Sequence, residues 1–169
     1  MSETSQEHPD AVDGVIAAWA RERPDLDLDA IAVAGRLGRV SLLLLPAQEA
    51  VFARFGLQKG EFDVLASLRR SGDPYTLRPS QLSAALMLTR AGMTNRLDRL
   101  EAAGLVERTL DPEDRRSFRV RLTDKGHGIV DEAMTAHTAN VTRLLSGLDE
   151  EQLQALDGLL RTLLRSLEA

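Results

Sequence analysis

The hydrophobic pattern of this 169-residue chain changes its period twice, and that change restricts the folds it can adopt. Up to about residue 103, apolar residues recur every three or four positions, as on the buried face of a helix. Apolar and polar residues then alternate in two short runs, at 106–110 and 118–122, as in half-buried strands. The helical period returns after residue 123. The sequence therefore predicts a mainly α (α+β) fold with one small hairpin.

Five helices are expected before the hairpin and two after it. Their predicted spans are 11–20, 29–55, 59–70, 79–87 and 89–103, followed by helices that begin near 124 and 149. Pro46 is expected to kink or break the second helix, because proline removes one helical hydrogen bond and crowds the preceding turn. Two closely spaced helices followed by a hairpin with a charged loop are the plan of a winged helix-turn-helix.

Several classes of function are excluded by what the sequence lacks. The chain has no cysteine, which excludes disulfides, thiolate metal sites and a catalytic cysteine. Its histidines, His8, His127 and His137, have neither the i,i+3 nor the i,i+4 spacing of a helical zinc pair. No GxGxxG, P-loop, HExxH or GxSxG motif is present. We therefore expect no enzyme activity, no metal and no cofactor.

The N-terminus gives no sign of a leader or a membrane anchor. The first ten residues are polar and acidic and are expected to form a disordered tail. The chain also offers no obvious run of about 18 apolar residues that could span a bilayer. The interpretation at this stage is a cytoplasmic protein without a membrane partner.

The charges are unevenly distributed along the chain, although the formal net charge is −5. Residues 72–123 carry nine Lys and Arg against seven Asp and Glu, a net of +2, so the remainder carries −7. A basic middle third between acidic flanks favours one surface for a polyanion. An imbalance of this size also arises by chance, so the charge alone does not identify the partner.

The helix expected at 89–103 has two distinct faces on a helical wheel. Met93, Leu97 and Leu100 form its buried stripe. The opposite face is small and polar, with Thr94 and Arg99 at the edges of a set made of Ala91, Asn95, Asp98 and Ala102. Such a face suits a helix in the DNA major groove, where residues of its N-terminal half reach the base edges. An ordinary solvated face has the same composition, so that alternative stays open.

The tip of the hairpin loop is basic. Arg115 and Arg116 lie there, and Arg119 and Arg121 follow on the outer face of the second strand. A basic tip on a rigid ribbon can place an arginine in a narrow minor groove and contact phosphates. Arginine-rich hairpins are also often merely solvated. The hairpin and the preceding helix, in this order, favour DNA binding more strongly than either does alone.

Several segments resemble the MarR (multiple antibiotic resistance regulator) family: GEFDVL at 60–65, MTNRLDRLEAAGLVE at 93–107, DPEDRR at 111–116 and LTDKG at 122–126. The resemblance implies a dimeric winged-helix repressor whose DNA affinity falls when a small ligand binds. It also implies base contacts by Thr94 and Asn95 and a wing-tip role for Arg116. Arg78 departs from the usual Thr or Ser before Pro79. The candidate DNA-binding residues are Thr89, Arg90, Thr94, Asn95, Arg99, Arg115 and Arg116.

The extra first helix narrows this resemblance. The segment WARERPDLD at 19–27 is similar to the urate-responsive branch of the family, the PecS and HucR type. That branch binds an anionic purine with a Trp, an Asp and an Arg, which match Trp19, Asp63 and Arg96 here. A structural salt bridge between Arg96 and Asp63 is an equally open interpretation, and interface packing alone would also explain Trp19. The implied effector is a urate-like purine or, as the runner-up, a phenolic acid in the same cleft.

Both ends of the chain are rich in apolar residues. The first helix has Val12, Val15, Ile16 and Trp19, and the last helix has leucines at 153, 156, 159, 160, 163, 164 and 167. A small winged-helix core cannot cover all of this surface, so a two-fold homodimer is expected, with a self-folded monomer as the alternative. The predicted division is a tail (1–10), N-terminal helices for dimerisation and the ligand cleft (11–56), a DNA-binding winged helix-turn-helix (57–123) and C-terminal dimerisation helices (124–169).

The function expected from the sequence is that of a sequence-specific DNA-binding transcriptional regulator. We expect a repressor that binds a palindromic operator as a homodimer and is released by a small anionic or aromatic ligand. The alternative is a winged-helix module that binds protein and not DNA.

Overall fold

The computed structural model describes residues 9–86, 90–112 and 117–168, and these fold mainly into helices. The elements are α1 (Ala11–Glu22), α2 (Asp29–Ala53), α3 (Lys59–Arg70), β1 (Thr76–Leu77), α4 (Pro79–Ala85), α5 (Arg90–Ala102), β2 (Val106–Leu110), β3 (Phe118–Leu122), α6 (Asp124–Leu144) and α7 (Glu150–Leu167). The predicted mainly α fold with a winged helix-turn-helix is confirmed. The chain forms two compact units, Met1–Pro46 and Ala47–Ala169.

The sheet has one strand more than the sequence predicted. β2 and β3 form the expected antiparallel hairpin, with Arg108 opposite Val120. β1, for which the sequence analysis made no prediction, adds to the other side of β3 and gives the order β1-β3-β2. A strand of two residues is too short to show an alternating pattern, so periodicity could not reveal it.

The N-terminal unit contains α1 and most of α2. The Asp10 carboxylate caps α1 by accepting hydrogen bonds from the backbone N–H groups of Val12 and Asp13. Arg36 of α2 pairs with both Asp10 and Asp13 and so ties the start of α1 to α2. α2 does not break at Pro46, although proline cannot donate the helical hydrogen bond at that position.

The length and composition of α2 overturn the expectation that no stretch of the chain is long and apolar enough to span a bilayer. Among the described residues, this helix is long and apolar enough to cross a membrane, with a mean hydropathy of 1.5 in its most apolar stretch, none of which is buried within the chain. Arg36 and Arg39 lie inside the helix, and a charge at the centre of a bilayer costs roughly 2.5–3.5 kcal/mol or more. A helix covered by a second protein surface meets the same criterion of length and hydropathy.

The core of the C-terminal unit is shared by the helix-turn-helix, the sheet and α6. Its buried residues come from α3, α4, α5, both hairpin strands and α6, and include Leu65, Leu68, Leu82, Met93, Leu97, Leu100, Val120, Val130 and Ala133. The predicted buried stripe of α5 is therefore confirmed. Because α6 contributes Val130 and Ala133, the first of the two C-terminal helices belongs to the core of the winged helix-turn-helix.

A set of ionic and ring contacts joins α3 to α6 on the surface of this unit. Arg69 donates to the Asp131 carboxylate at 2.8 Å, and this hydrogen bond lowers the pKa of Asp131 below its usual value. The Arg69 guanidinium also lies over the Tyr75 ring, and the Tyr75 and His127 rings meet in a T-shaped arrangement. The segment that leads into β1 is thereby held against both helices.

The end of α5 and the start of α6 meet at a tight junction. Gly104 follows α5 with φ +69°, a backbone conformation that favours glycine. The Thr123 N–H donates to the Leu105 carbonyl at 3.2 Å, and its hydroxyl donates to the Gly104 carbonyl at 2.8 Å. Gly126 lies so close that a Cβ there would be 2.0 Å from the Leu105 carbonyl oxygen.

Gly126→Ala is expected to destabilise the protein by about 1–3 kcal/mol, because the added methyl group would overlap backbone atoms that cannot move independently. Gly128→Ala is the matched control in the same helix, since a Cβ there would meet nothing within 4 Å. The control should gain about 0.5–1 kcal/mol from helix propensity. Urea unfolding followed by circular dichroism measures both changes, and equal effects would contradict the tight junction.

Candidate nucleic-acid interface

The outward face of α5 is the central feature of the candidate interface. Met93 and Leu97 anchor the helix in the core, while Thr94 and Asn95 are exposed to solvent. Arg90 is the first residue of the helix. Exposed amide and hydroxyl groups in the N-terminal half of a helix can donate to and accept from base edges. The structure therefore brings Thr94 and Asn95 to the surface on which the sequence placed them.

Arg99 makes a contact that the sequence did not predict. Its Nε donates to the Glu61 carboxylate at 2.6 Å and its Nη2 to the Gln58 side chain at 3.0 Å, so Arg99 joins α5 to the start of α3. Glu61 is buried and also accepts from the Gln58 backbone N–H at 2.8 Å. This pairing engages the guanidinium within the protein, and a role for Arg99 on DNA stays a prediction.

Arg108 connects α5 to the hairpin. The guanidinium lies 2.5 Å from the Asp98 carboxylate and 3.5 Å from Glu101, both on α5, and its backbone N–H donates to Glu101 at 3.2 Å. Arg108 is only 23% exposed, so its long side chain is held in place along its length. The first strand of the hairpin is therefore tied to the helix that carries Asn95.

Asp111, which directly follows β2, joins the outer end of the hairpin to the start of α4. Its carboxylate is 0% exposed, accepts from Arg78 Nε at 2.6 Å and lies 3.0 Å from Arg119 Nη2. Arg78 immediately precedes α4, where its backbone N–H donates to the Gln81 side chain at 2.8 Å. The Arg78 side chain has no acceptor with which to cap α4, and the contact at this helix start runs the other way, from the Arg78 N–H to Gln81.

A groove of about 520 Å³ runs beside this carboxylate. It is lined by three arginines, Arg78, Arg119 and Arg121, together with parts of β1 and α4. Arg121 donates to the Glu107 carboxylate at 2.6 Å, and this hydrogen bond raises the pKa of the guanidinium further above its usual value. The arginines of the groove are thus oriented by carboxylates.

The far end of the hairpin leaves the core. Val120 and Leu122 are buried, but Leu110 and Phe118, which face each other across the strands, are 61% and 50% exposed. Phe118 lies on the same face of β3 as the buried Val120, but it stays exposed because the ribbon extends beyond the edge of the core. Thr89, Arg115 and Arg116 lie outside the described residues, and their roles on DNA stay predictions.

The candidate effector residues divide between the two compact units. Trp19 belongs to the N-terminal unit and is 51% exposed. Asp63 belongs to the C-terminal unit and pairs with Lys59 at 2.9 Å, one helical turn away. A salt bridge from Asp63 to Arg96, which the sequence left open, is thus replaced by a pair within α3.

Arg96 has an unusual environment. Its guanidinium lies against the second residue of α3, so close that a Cβ on Gly60 would be 2.3 Å from Arg96 Nε. The Nη1 atom is buried and has no hydrogen-bond partner among the described residues. A buried donor without a partner costs free energy that a bound acceptor would recover. Arg96 is therefore suited to binding an anion, as the sequence suggested.

The described residues offer little for a metal ion. No three His, Asp or Glu side chains within residues 9–86, 90–112 and 117–168 come together in a way that could hold one.

Asp111 and Arg108 were missed as functional candidates by the sequence analysis. Asp111 looked like a turn residue because Pro112 follows it. A signal was present in the cross-strand positions: a carboxylate at the end of one strand with Arg119 at the start of the next favours an ion pair between strands. The contact with Arg78 joins residues 33 positions apart, and no local pattern predicts it.

Comparison with known proteins adds to this geometry. A model of the MarR family matches residues 55–117. The chain is 43% identical over 149 residues to the HTH-type transcriptional regulator PecS of Dickeya dadantii (strain 3937), which covers 88% of this chain and 90% of that protein.

Solved structures give the same picture. A crystal structure of a MarR mutant from E. coli complexed with operator DNA is similar with a TM-score of 0.70 and 26% identity, covering 81% of this chain and 97% of that one. A structure that concerns regulation of DNA binding of Bordetella bronchiseptica BpsR by 6-hydroxynicotinic acid has a TM-score of 0.68 and 25% identity, covering 78% and 91%.

Proposed function

Because this chain belongs to the MarR family of DNA-binding transcriptional regulators, we propose that it is a repressor that binds a palindromic operator as a homodimer and that a small anionic or aromatic ligand releases it. The observation that carries the proposal is the outward face of α5, where Thr94 and Asn95 are exposed above a fully buried stripe. Family membership identifies a regulator and not an enzyme. A regulator that acts on DNA is expected in the cytoplasm.

Base reading is assigned to the N-terminal half of α5. Asn95 can form two hydrogen bonds to an adenine in the major groove, and the Thr94 hydroxyl can donate or accept beside it. The arginines of the groove and of the hairpin loop, Arg115 and Arg116, are assigned to phosphates and the minor groove. Arg99, whose guanidinium is engaged by Glu61 and Gln58, is assigned to a phosphate and not to a base.

A homodimer is supported by the exposed apolar surface at both ends of the chain. On α7 no residue is buried, and Leu153, Leu156, Leu159, Leu163, Leu164 and Leu167 are all exposed. On α1 and α2 the exposed set includes Val15, Trp19, Ile31, Val33 and Val40. Fully burying a leucine stabilises by roughly 1.5–3 kcal/mol, so a second copy that covers these helices gains substantially. A two-fold axis would place two α5 helices about one DNA turn apart.

The ligand proposal rests on Arg96 and Trp19. An anion that accepts from the buried Nη1 of Arg96 would act directly on α5, the helix that carries Asn95. A planar purine such as urate, or a phenolic carboxylate, supplies the acceptor for Arg96, and Trp19 is kept as a candidate ligand contact by resemblance alone. The BpsR structure, which concerns 6-hydroxynicotinic acid, supports a planar acid as the effector class.

The DNA assignment predicts a specific effect of Asn95→Ala. A duplex is first recovered by in vitro selection from a random library, and the selected sequence should be a palindrome with half-sites about 10 base pairs apart. Asn95→Ala should weaken binding to it by about 1–3 kcal/mol and relax the base preference at one position of each half-site. Fluorescence anisotropy at two salt concentrations measures the affinity, which should fall steeply as salt rises.

The neutral control for this measurement is Thr135→Ala, an exposed position on α6. Its affinity should equal that of the wild-type protein. If the wild-type protein binds no selected duplex, or if its binding does not depend on salt, the alternative of a protein-binding winged helix gains the support instead.

The dimer is tested by light scattering. The wild-type mass should be twice the 18.5 kDa of one chain, and Leu159→Asp should shift the protein towards monomer, because it places a charge in the apolar α7 surface. Leu110→Asp is the matched control, an exposed leucine on the hairpin, and it should leave the mass unchanged. A wild-type monomer at micromolar concentration would refute the two-fold assembly.

The ligand assignment predicts the loss of response in Arg96→Ala. Urate and protocatechuate, a phenolic carboxylate, are added separately to the protein–DNA complex, and Trp19, the single tryptophan, reports binding by fluorescence. Gly60→Ala should impair the response in the same direction, since its Cβ displaces the Arg96 guanidinium. Arg54→Ala, an exposed arginine at the end of α2, should respond like the wild type. Full release from DNA in Arg96→Ala would remove Arg96 from the mechanism.

A further inference from the structure

The hairpin has little apolar anchorage at its outer end. Its buried residues stop at Val106 on β2 and at Val120 on β3, and the outermost pair, Leu110 and Phe118, is exposed. Backbone hydrogen bonds hold the two strands to each other, including the Asp111 N–H to the Ser117 carbonyl at 2.9 Å, but they do not fix the ribbon to the helices. The direction of the ribbon must therefore be set by side-chain contacts between the hairpin and its neighbours, such as those of Arg108 with α5 and of Asp111 with Arg78.

The Asp111 carboxylate makes such a contact with each of two neighbouring elements. One oxygen accepts from Arg78 at the start of α4, and the other faces Arg119 on β3. Both guanidiniums are partly exposed at the groove, while the carboxylate is completely buried between them. A buried carboxylate is tolerated only when cations and hydrogen bonds replace its water, so this geometry is strongly specified.

The charge of Asp111 makes its position unexpected. A carboxylate near a DNA-binding surface repels phosphate, and Coulomb's law alone predicts that its removal would strengthen DNA binding. Retaining a negative charge there is explained if its geometric contribution exceeds its electrostatic cost. Arg115 and Arg116 follow only four and five positions later in the sequence, so an error in the direction of the ribbon would be passed on to them.

We propose that Asp111 is a positioning residue for DNA binding: its buried carboxylate holds Arg78 and Arg119 together and thereby fixes the direction of the hairpin relative to the helix-turn-helix. This inference rests on the proposed function, because it concerns how the hairpin meets the DNA. Asp111 contacts no base or phosphate itself. It acts through the two arginines that it orients.

The test compares two carboxylates of the same hairpin. Asp111→Asn and Glu107→Gln each remove one negative charge with almost no change of shape, but the Glu107 side chain is 42% exposed and, among the described residues, pairs with Arg121 of β3. Binding of the selected duplex is measured by anisotropy, and hydroxyl-radical footprinting shows which minor-groove positions are protected. Thermal unfolding of each variant is recorded separately.

Asp111→Asn is expected to bind about tenfold or more weakly than wild type and to lose protection at the outer edges of the footprint while keeping the centre. Glu107→Gln keeps an amide oxygen that can still accept from Arg121, so it should bind as tightly as wild type or more tightly. A general loss of stability would lower all protections together, so the edge-specific loss distinguishes positioning from folding. Equal affinities and equal footprints for the two variants would overturn the proposal.

A second pair of variants decides the matter if Asp111→Asn does not fold. Arg119→Met and Arg121→Met each remove one positive charge from the same face of β3. Arg119→Met should weaken binding more and lose the outer protections, whereas equal effects would overturn the proposal. Failure of the wild-type protein to bind any duplex would instead refute the proposed function, so the two failures remain distinguishable.

Discussion

The burial of Met93, Leu97 and Leu100 in the shared core is the interaction on which the candidate interface depends. Because these side chains occupy one face of α5, Thr94 and Asn95 face the solvent on the opposite side. The same core holds α3, the sheet and α6, so the helix cannot rotate without disturbing all of them. The polar face of α5 is thus defined by apolar packing on its other side.

Hydrophobic period and cap residues were sufficient to predict most of the fold. The span of α3, the two hairpin strands and the start of α6 after Thr123 follow from patterns within a few residues, because each depends on local hydrogen bonds and one buried face. β1 was missed because it is too short to show a period, and α2 continues through Pro46 because a long helix tolerates the loss of one hydrogen bond. The exposure of Phe118 does not follow from the pattern, because periodicity does not show where a core ends.

The candidate site was predictable to a lesser extent. The exposure of Asn95 follows from the helical wheel, but the partners of the arginines do not. Arg78 with Asp111 and Arg99 with Glu61 each join residues more than thirty positions apart, and such pairs depend on tertiary packing. The hydropathy of α2 likewise does not identify what covers this helix, because a sequence window cannot tell whether lipid or protein covers an apolar helix.

The seam between α5 and α6 has a mechanical consequence. Thr123 donates hydrogen bonds to the carbonyls of Gly104 and Leu105, and Gly126 lies directly against the Leu105 backbone. At Gly126 the start of α6 therefore packs on the segment after α5 without an intervening side chain. A hinge requires conformational freedom in the residues that connect two elements, and this junction has almost none. A tilt imposed on the far end of α6 is therefore transmitted directly to α5. Even a small displacement of α6 changes the angle at which Asn95 is presented.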